Sequence, residues 1–398
     1  MLRLILTLAL LLVPACGDST GPAGGGGGAT LSGTVRVAGQ AVTLAGATVS
    51  MGSLTATSDE NGHFELASIP VGAATVRAER PGYEPAEAAI NIVAGANTHD
   101  FGLTAQEIYQ IGTMGALVPA GTSPIRGAII VLGSNGTRGF VTGEPIHGAD
   151  NPELEQSLQD WAASFRSLAR SKHVALIGTN THPANGTASD DALLAALSSV
   201  ASQSGHPELA GAPVLTVGLS EMESGGLVAR HPERAIGLLT RVPPDVGSLQ
   251  SAATLAVPTF VMQAELDNAA RNTAIQATFA DNRSRGGLWS LAVEPDVGHE
   301  QASARGNAAA TGWVSRALDL RLPSTPGEPL VALDEQSGWL GNQSTLSVAA
   351  WADYTGDRAA ASWLLNETTA GSWRLLGTPQ SGGGGGGNKP AAAVGSAH

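Results

Sequence analysis

The stretch Pro213-Val-Leu-Thr-Val-Gly-Leu-Ser220-Glu-Met-Glu-Ser-Gly-Gly226 is the hinge on which the reading of this chain turns. It opens as a short apolar run rich in β-branched residues and ends at a polar, glycine-rich corner. A helical pattern follows, so that Glu221–Arg230 is expected to form a helix. A buried strand, a sharp turn carrying one serine and then a helix is the layout of a nucleophile elbow. In such an elbow Gly218 leaves room for the turn, and Ser220 projects its hydroxyl above the sheet. The N–H of Glu221 then points at a developing oxyanion. Met222 stands where the G-x-S-x-G pattern has its second glycine, although Ser224, Gly225 and Gly226 keep the next turn small. A Gly-x-Ser triplet is common, so its meaning depends on the rest of the chain.

Working outward, buried apolar runs alternate with helical stripes from about Thr104 to Pro323. Gly127–Gly133, Val174–Gly178, Ala235–Leu239, Thr259–Gln263 and Leu288–Val293 read as strands, several of them apolar on both faces as parallel strands are. Between them, Leu154–Arg170, Asp190–Val200 and Trp313–Leu320 read as helices. The fold class implied is α/β, a doubly wound, mostly parallel sheet. Ligands bind such sheets at the carboxyl ends of the strands, which is where Ser220 falls. Two more polar groups leave equivalent strand ends: Glu265 and Asp267 after Val257-Pro-Thr-Phe-Val-Met-Gln-Ala, and His299 in Glu294-Pro-Asp-Val-Gly-His-Glu. Asp296 reads as a loop-capping carboxylate.

The order Ser220, Asp267, His299, each at a strand end, resembles the α/β-hydrolase superfamily. Within it, Val257-Pro-Thr, Ala264-Glu-Leu-Asp267, Gly218-Leu-Ser220 and Gly298-His299 are similar to the secreted esterases of the dienelactone-hydrolase, cutinase and polyester-hydrolase group. The resemblance implies a serine nucleophile, with His299 as base and Asp267 orienting the imidazole. It also implies an oxyanion hole from the N–H of Ser134 (or Asn135) in Leu132-Gly-Ser-Asn135 and that of Glu221. The implied substrate is a small-molecule or polymeric carboxylic ester, hydrolysed without a cofactor. Glu221 and Glu223 put negative charge beside the nucleophile and should disfavour anionic substrates. A serine peptidase on the same fold and a non-catalytic surface module are the competing readings.

Composition narrows the field further. The formal charge of −13 offers no basic stripe to meet phosphates, so nucleic acid is not an expected partner. The nine histidines are scattered, and none has a spacing that would place two metal ligands on one helix face. Residues 1–15 read as a targeting segment: Arg3, an apolar run from Leu4 to Val13, then Val13-Pro-Ala-Cys16. The last four residues resemble a bacterial lipobox, which implies lipidation at Cys16, a membrane anchor and an extracytoplasmic location. With a single cysteine in the chain, an intramolecular disulfide is ruled out.

Residues 16–30 form a glycine-rich tether. From 31 to 103 the pattern has period two, with turn residues every eight to twelve positions or so, as in a small β-sandwich. Gly33-Thr-Val35, Gly46-Ala-Thr-Val49, Thr57-Ser-Asp-Glu-Asn-Gly-His-Phe64 and Pro70-Val-Gly72 resemble the carboxypeptidase regulatory-like domain. That resemblance implies a fold and an accessory role, with glycan or protein contact as a candidate. Residues 324–377 carry Trp339, Trp351, Trp363 and Trp373, read mainly as packing anchors in an appendage, with a short helix near Thr368–Leu376. Residues 378–398 are compositionally a disordered tail.

Overall fold

Alternating burial along the first strands sets up the N-terminal part of the protein. The computed structural model describes residues 28–121, 124–133, 137–146, 151–179, 187–219, 225–241, 249–298 and 303–379. Contacts divide the chain into two units, the first made of residues up to Ala78 with Ala86–Leu103, the second of Glu79–Pro85 with Thr104 onward. In the first, β1 (Ala29–Val37), β2 (Thr48–Met51), β3 (Leu54–Thr57), β4 (His63–Ile69) and β5 (Gly72–Glu79) come before β7 (Ala86–Ile92), β8 (Ala96–Thr98) and β9 (Phe101–Ala105), while the short β6 (Tyr83–Glu84) belongs to the second. One sheet runs β4-β1-β9 with β8 also on β1, and the other runs β3-β2-β5-β7. β1 starts at Ala29, two residues before the expected Leu31, because Ala29 pairs with Ile69 across a bulge and both are buried. Leu31, Val35, Val49, Phe64 and Val76 point inward at period two. The Asp59–Gly62 turn is held by its own aspartate, whose Oδ1 accepts the N–H groups of Asn61 and His63. Gly62 has φ of 75°, and a Cβ there would lie 2.5 Å from the Val35 carbonyl, so this turn requires glycine.

The second unit is built on an eight-stranded sheet. Its strands are β10 (Ile108–Ile111), β11 (Met114–Leu117), β12 (Ala128–Leu132), β13 (Ala175–Thr179), β14 (Val214–Gly218), β15 (Ala235–Thr240), β16 (Thr259–Ala264) and β17 (Trp289–Glu294). Their order is β10-β11-β13-β12-β14-β15-β16-β17. The β10–β11 hairpin is antiparallel, β11 runs antiparallel to β13, and the rest are parallel. This is a doubly wound sheet with the strand order of the α/β-hydrolase fold. Every residue of β12, β14, β15 and β16 is buried, since helices cover both faces.

The helices are α1 (Gly139–Thr142), α2 (Pro152–Lys172), α3 (Thr187–Ser204), α4 (Gly226–Arg230), α5 (Ala252–Leu255), α6 (Ala269–Ser284) and α7 (Ala304–Arg321). α2 shows why the sequence folds as it does. Asn151 caps it by accepting the Leu154 N–H, Pro152 sits in the first turn, and acidic Glu153 and Glu155 face the positive end of the dipole. Its buried stripe of Leu154, Trp161, Phe165 and Leu168 packs with α7 on one face of the sheet. α3 covers part of the other face through Leu193, Leu197 and Val200, and α4 and α6 cover the rest through Val228, Ile275 and Phe279. α7 begins nine residues before the expected Trp313, because Ala304–Gly312 is rich in Ala and Gly and carries little apolar stripe.

Beyond α7 come β18 (Trp339–Gly341), β19 (Val348–Ala350), β20 (Ser362–Leu364) and α8 (Glu367–Gly377). The strands form a three-stranded antiparallel sheet, β19-β18-β20. Trp363 and Trp373 are buried in the same apolar cluster as β12, β14 and α7, so this segment shares the core of the second unit. Arg283 of α6 fastens it from below: Nε donates to the Ala361 carbonyl at 2.7 Å, Nη2 to the Arg358 carbonyl at 2.7 Å, and Nη1 to Glu335 at 3.2 Å.

Candidate active site at the strand exits

The carboxyl ends of β12, β14 and β15 lie level, with Leu132 opposite Gly218 and Gly218 opposite Thr240. Two backbone hydrogen bonds continue this rung past the strands. Leu219 N–H donates to the Leu132 carbonyl at 2.8 Å, and Arg241 N–H donates to the Gly218 carbonyl at 3.1 Å. The backbone entering Ser220 is therefore fixed on both sides up to Leu219. Ser220 and Glu221, Ser134 and Asn135, His299 and Cys16 lie outside the described residues. Of the sequence-predicted triad, Asp267 is described.

β16 runs past the end of β15, to Ala264, which pairs with Glu294 at the end of β17. The turn beyond it is built by the start of α6. Asn268 caps that helix, its Oδ1 accepting from the N–H groups of Ala270 and Arg271. Asn272 reaches back, donating its side-chain amide to the carbonyls of Ala264 at 3.0 Å and Glu265 at 3.1 Å. Asp267 is thereby held just before the cap, its side chain only 4% exposed. Its Oδ1 accepts the Asn268 N–H at 2.6 Å, and Arg271 Nη1 lies 2.9 Å from Oδ1 and 3.1 Å from Oδ2.

The acid turn is stitched to the loop that leads to residue 299. Glu265 N–H donates to the Glu294 carbonyl at 3.1 Å, and Leu266 N–H to the Val297 carbonyl at 2.9 Å. The Glu265 carboxylate accepts the N–H of Asp296 at 2.9 Å, which gives Glu265 a structural task. Asp296 has φ of 59°, a conformation that aspartate tolerates better than most residues. The two ends of the loop are tied as well. Glu294 is buried, and its Oε1 accepts the hydroxyl of Ser303, which also caps α7 by accepting the Gly306 N–H at 2.8 Å.

A third charge enters from β15. Burial pushes the Arg241 guanidinium below its ordinary value, while the carboxylates of Glu294 and Asp267 pull it back up. At the ends of β15, β16 and β17, Arg271 thus pairs with Asp267, and Arg241 lies in the field of Glu294 and Asp267. Arg241, Arg271 and Glu294 were not singled out by sequence. The one legible signal was the i, i+4 spacing of Asp267 and Arg271 across an Asn-capped helix start. The buried Asp190 in the first turn of α3 pairs with Arg230 in the last turn of α4. Asp190 thereby braces α4, the helix that follows β14. A groove of about 1210 Å³ runs between α2 and α7, lined by Ser157, Ser164, Asn307 and Ser315 among others. Its lining comes from α2 and α7, whereas Asp267, Arg241 and Glu294 stand at the ends of β15, β16 and β17 and Arg271 in α6. Among the described residues no group of three or more His, Cys, Asp or Glu could hold a metal ion. No helix of the described residues is long and apolar enough to cross a membrane.

Residues 30–104 match the carboxypeptidase regulatory-like domain family. No curated protein matches the chain by sequence. Among solved structures, a type II cohesin–X-dockerin complex from Acetivibrio cellulolyticus is 25% identical, with a TM-score of 0.18 over 20% of this chain. The chain spans 60% of that relative's length. A cold-adapted esterase from an Arctic intertidal metagenomic library is 10% identical at a TM-score of 0.34, covering 53% of this chain and 97% of its own. Candida antarctica lipase A in its closed state is also 10% identical, at a TM-score of 0.35, covering 76% of this chain and 87% of its own. These likenesses assign no activity to this chain.

Proposed function

We propose that the protein is a lipid-anchored, extracytoplasmic serine hydrolase that cleaves carboxylic esters through Ser220, His299 and Asp267. The observation that carries this reading is the acid turn: a buried aspartate at the exit of β16, stitched through Leu266 and Val297 to the loop leading to His299. A serine hydroxyl is a weak nucleophile, so the base must take its proton during attack. Ser220 Oγ bonds to the ester carbonyl carbon as His299 accepts the proton, and the N–H groups of Ser134 and Glu221 stabilise the oxyanion. Collapse breaks the C–O bond, and the alcohol leaves with the proton from His299. Water then attacks the acyl-enzyme by the same route, releasing the acid and restoring Ser220. Asp267 keeps the imidazole in the working tautomer and stabilises its cation.

The anchor in this reading is a lipid on Cys16, and the N-terminal sandwich contributes glycan or protein contact. Incorporation of a palmitate analogue, lost in Cys16→Ala, tests the anchor. For the chemistry, Ser220→Ala should abolish hydrolysis of short-chain nitrophenyl esters and labelling by a fluorophosphonate, with unfolding unchanged. Hydrolysis that persists in that variant would refute the assignment. A wild-type protein that takes up no probe would favour the non-catalytic surface module, which Met222 in the elbow motif supports. Amide turnover exceeding ester turnover would favour a peptidase.

A further inference from the structure

We infer that Arg271 is a positioning residue for the acid of this site, fixing the Asp267 carboxylate and adding a positive charge that holds the base's working range toward lower pH. The inference rests on the triad reading given above. Its geometry is local: one guanidinium nitrogen lies 2.9 and 3.1 Å from the two oxygens of a carboxylate that is 4% exposed. A surface i, i+4 pair would leave its carboxylate in water, where the charge is screened and the geometry loose. Here the carboxylate is buried, the helix is capped by the intervening Asn268, and Asn272 fixes the turn from the same helix. Arg271 itself is only a quarter exposed. It is therefore held in place as much as it holds.

The electrostatic consequence follows from counting the charges that face Asp267. Arg271 approaches from α6, Arg241 from the end of β15 and Glu294 from the end of β17, with Glu265 and Asp296 in the adjoining turns. An aspartate with no cation beside it raises the pKa of a histidine it contacts, because the imidazolium is the form it favours. Arg271 already balances Asp267, so the added proton on the base is favoured less. The base then stays neutral, and competent to accept a proton, to lower pH. Arg241 and Glu294 are of opposite sign, and the Glu294 carboxylate is the larger of the two pulls on Arg241. Arg271 is the charge whose removal is felt.

The test uses the full-length protein and a short-chain nitrophenyl ester, with kcat and KM measured across pH 4–9 for wild type, Arg271→Gln and Arg271→Lys. Gln keeps a hydrogen-bond donor and loses the charge, whereas Lys keeps the charge and loses the planar fork. In Arg271→Gln the acidic limb of kcat/KM should move up by about one pH unit. The loss should fall on kcat, with KM changed less than about twofold. In Arg271→Lys the limb should stay with wild type even if kcat drops. An unmoved limb in Arg271→Gln overturns the inference however far kcat falls, because a purely structural pair changes rate without moving the pKa, and so does a limb that moves in Arg271→Lys, which keeps the charge. Failure of the triad reading looks different: wild type itself would neither turn over the ester nor bind a fluorophosphonate, and the inference would fall with it.

Discussion

The indole Nε1 of Trp373 donates to the carbonyl of Leu291 at 2.6 Å, joining α8 to the middle of β17 across 82 residues of sequence. β17 is the last strand of the large sheet, and on its outer side its ladder is finished by side chains. Leu291 N–H donates to the Ser362 hydroxyl at 2.8 Å, and Gln343 adds a second donor to the Leu291 carbonyl at 3.0 Å. An exposed edge strand is a template for pairing with another chain. Here β20, Trp373 and Gln343 occupy the place such a partner would take.

Removing that cover should change association state before it changes anything else. A chain stopped after Pro323 should self-associate, as read by sedimentation or size-exclusion chromatography, and a well-behaved monomer would contradict the edge-capping role. The point substitution Trp373→Phe is milder. It removes the indole donor and part of a buried ring, and should cost about 2 kcal/mol in urea unfolding.

Ser303 holds two duties at once, capping α7 and satisfying the buried carboxylate of Glu294. Ser303→Ala removes both and should destabilise the protein by about 1–2 kcal/mol. Glu294 and Ser303 close the loop that carries His299, so the same variant should lower kcat of ester hydrolysis more than it raises KM. Unfolding by denaturant and steady-state kinetics on one preparation separate the two effects.

Acid should loosen the start of the large sheet through Glu107. Its hydrogen bond from Arg170 holds the carboxyl below its ordinary value, and the other oxygen accepts the Ala120 N–H at 3.1 Å. A depressed carboxylate contributes stability above its unfolded value of about 4.5, and that contribution is lost as pH falls through the folded value. Glu107→Gln should therefore be less stable than wild type at pH 7, by about 1 kcal/mol given the exposed partner. The difference should shrink as pH falls below about 4.5 and close once pH is below the lowered folded value, where both side chains are neutral. Thermal unfolding at a series of pH values measures the convergence.

How much of this was legible depended on what holds each element. β12, β14, β15 and β16 are buried on both faces, and their uninterrupted apolar runs announce them. α2 announces itself by cap and stripe. The β10–β11 hairpin gave no such signal, because its residues mix Gly, Thr and Gln and its pairing partner β13 comes about sixty residues later. β18, β19 and β20 are three residues each, too short to show a period, and exist through contacts with β17 and α8. At the site, Asp267 could be placed by its strand-end position. Arg241 and Glu294 could not, because only tertiary proximity pairs a residue leaving one strand with residues leaving two others.

The side-chain finish on β17 has a bearing on the order in which the chain can fold as it is made. Strand β17 is complete at Glu294, yet the residues that close its edge, Gln343, Ser362 and Trp373, leave the ribosome well after it. During synthesis the sheet therefore passes through a stage in which it is assembled but open on one side, the kind of intermediate that holdase chaperones bind. A released chain that stops at Leu322 should be captured by such a chaperone, and a released chain extended past Thr378 should not.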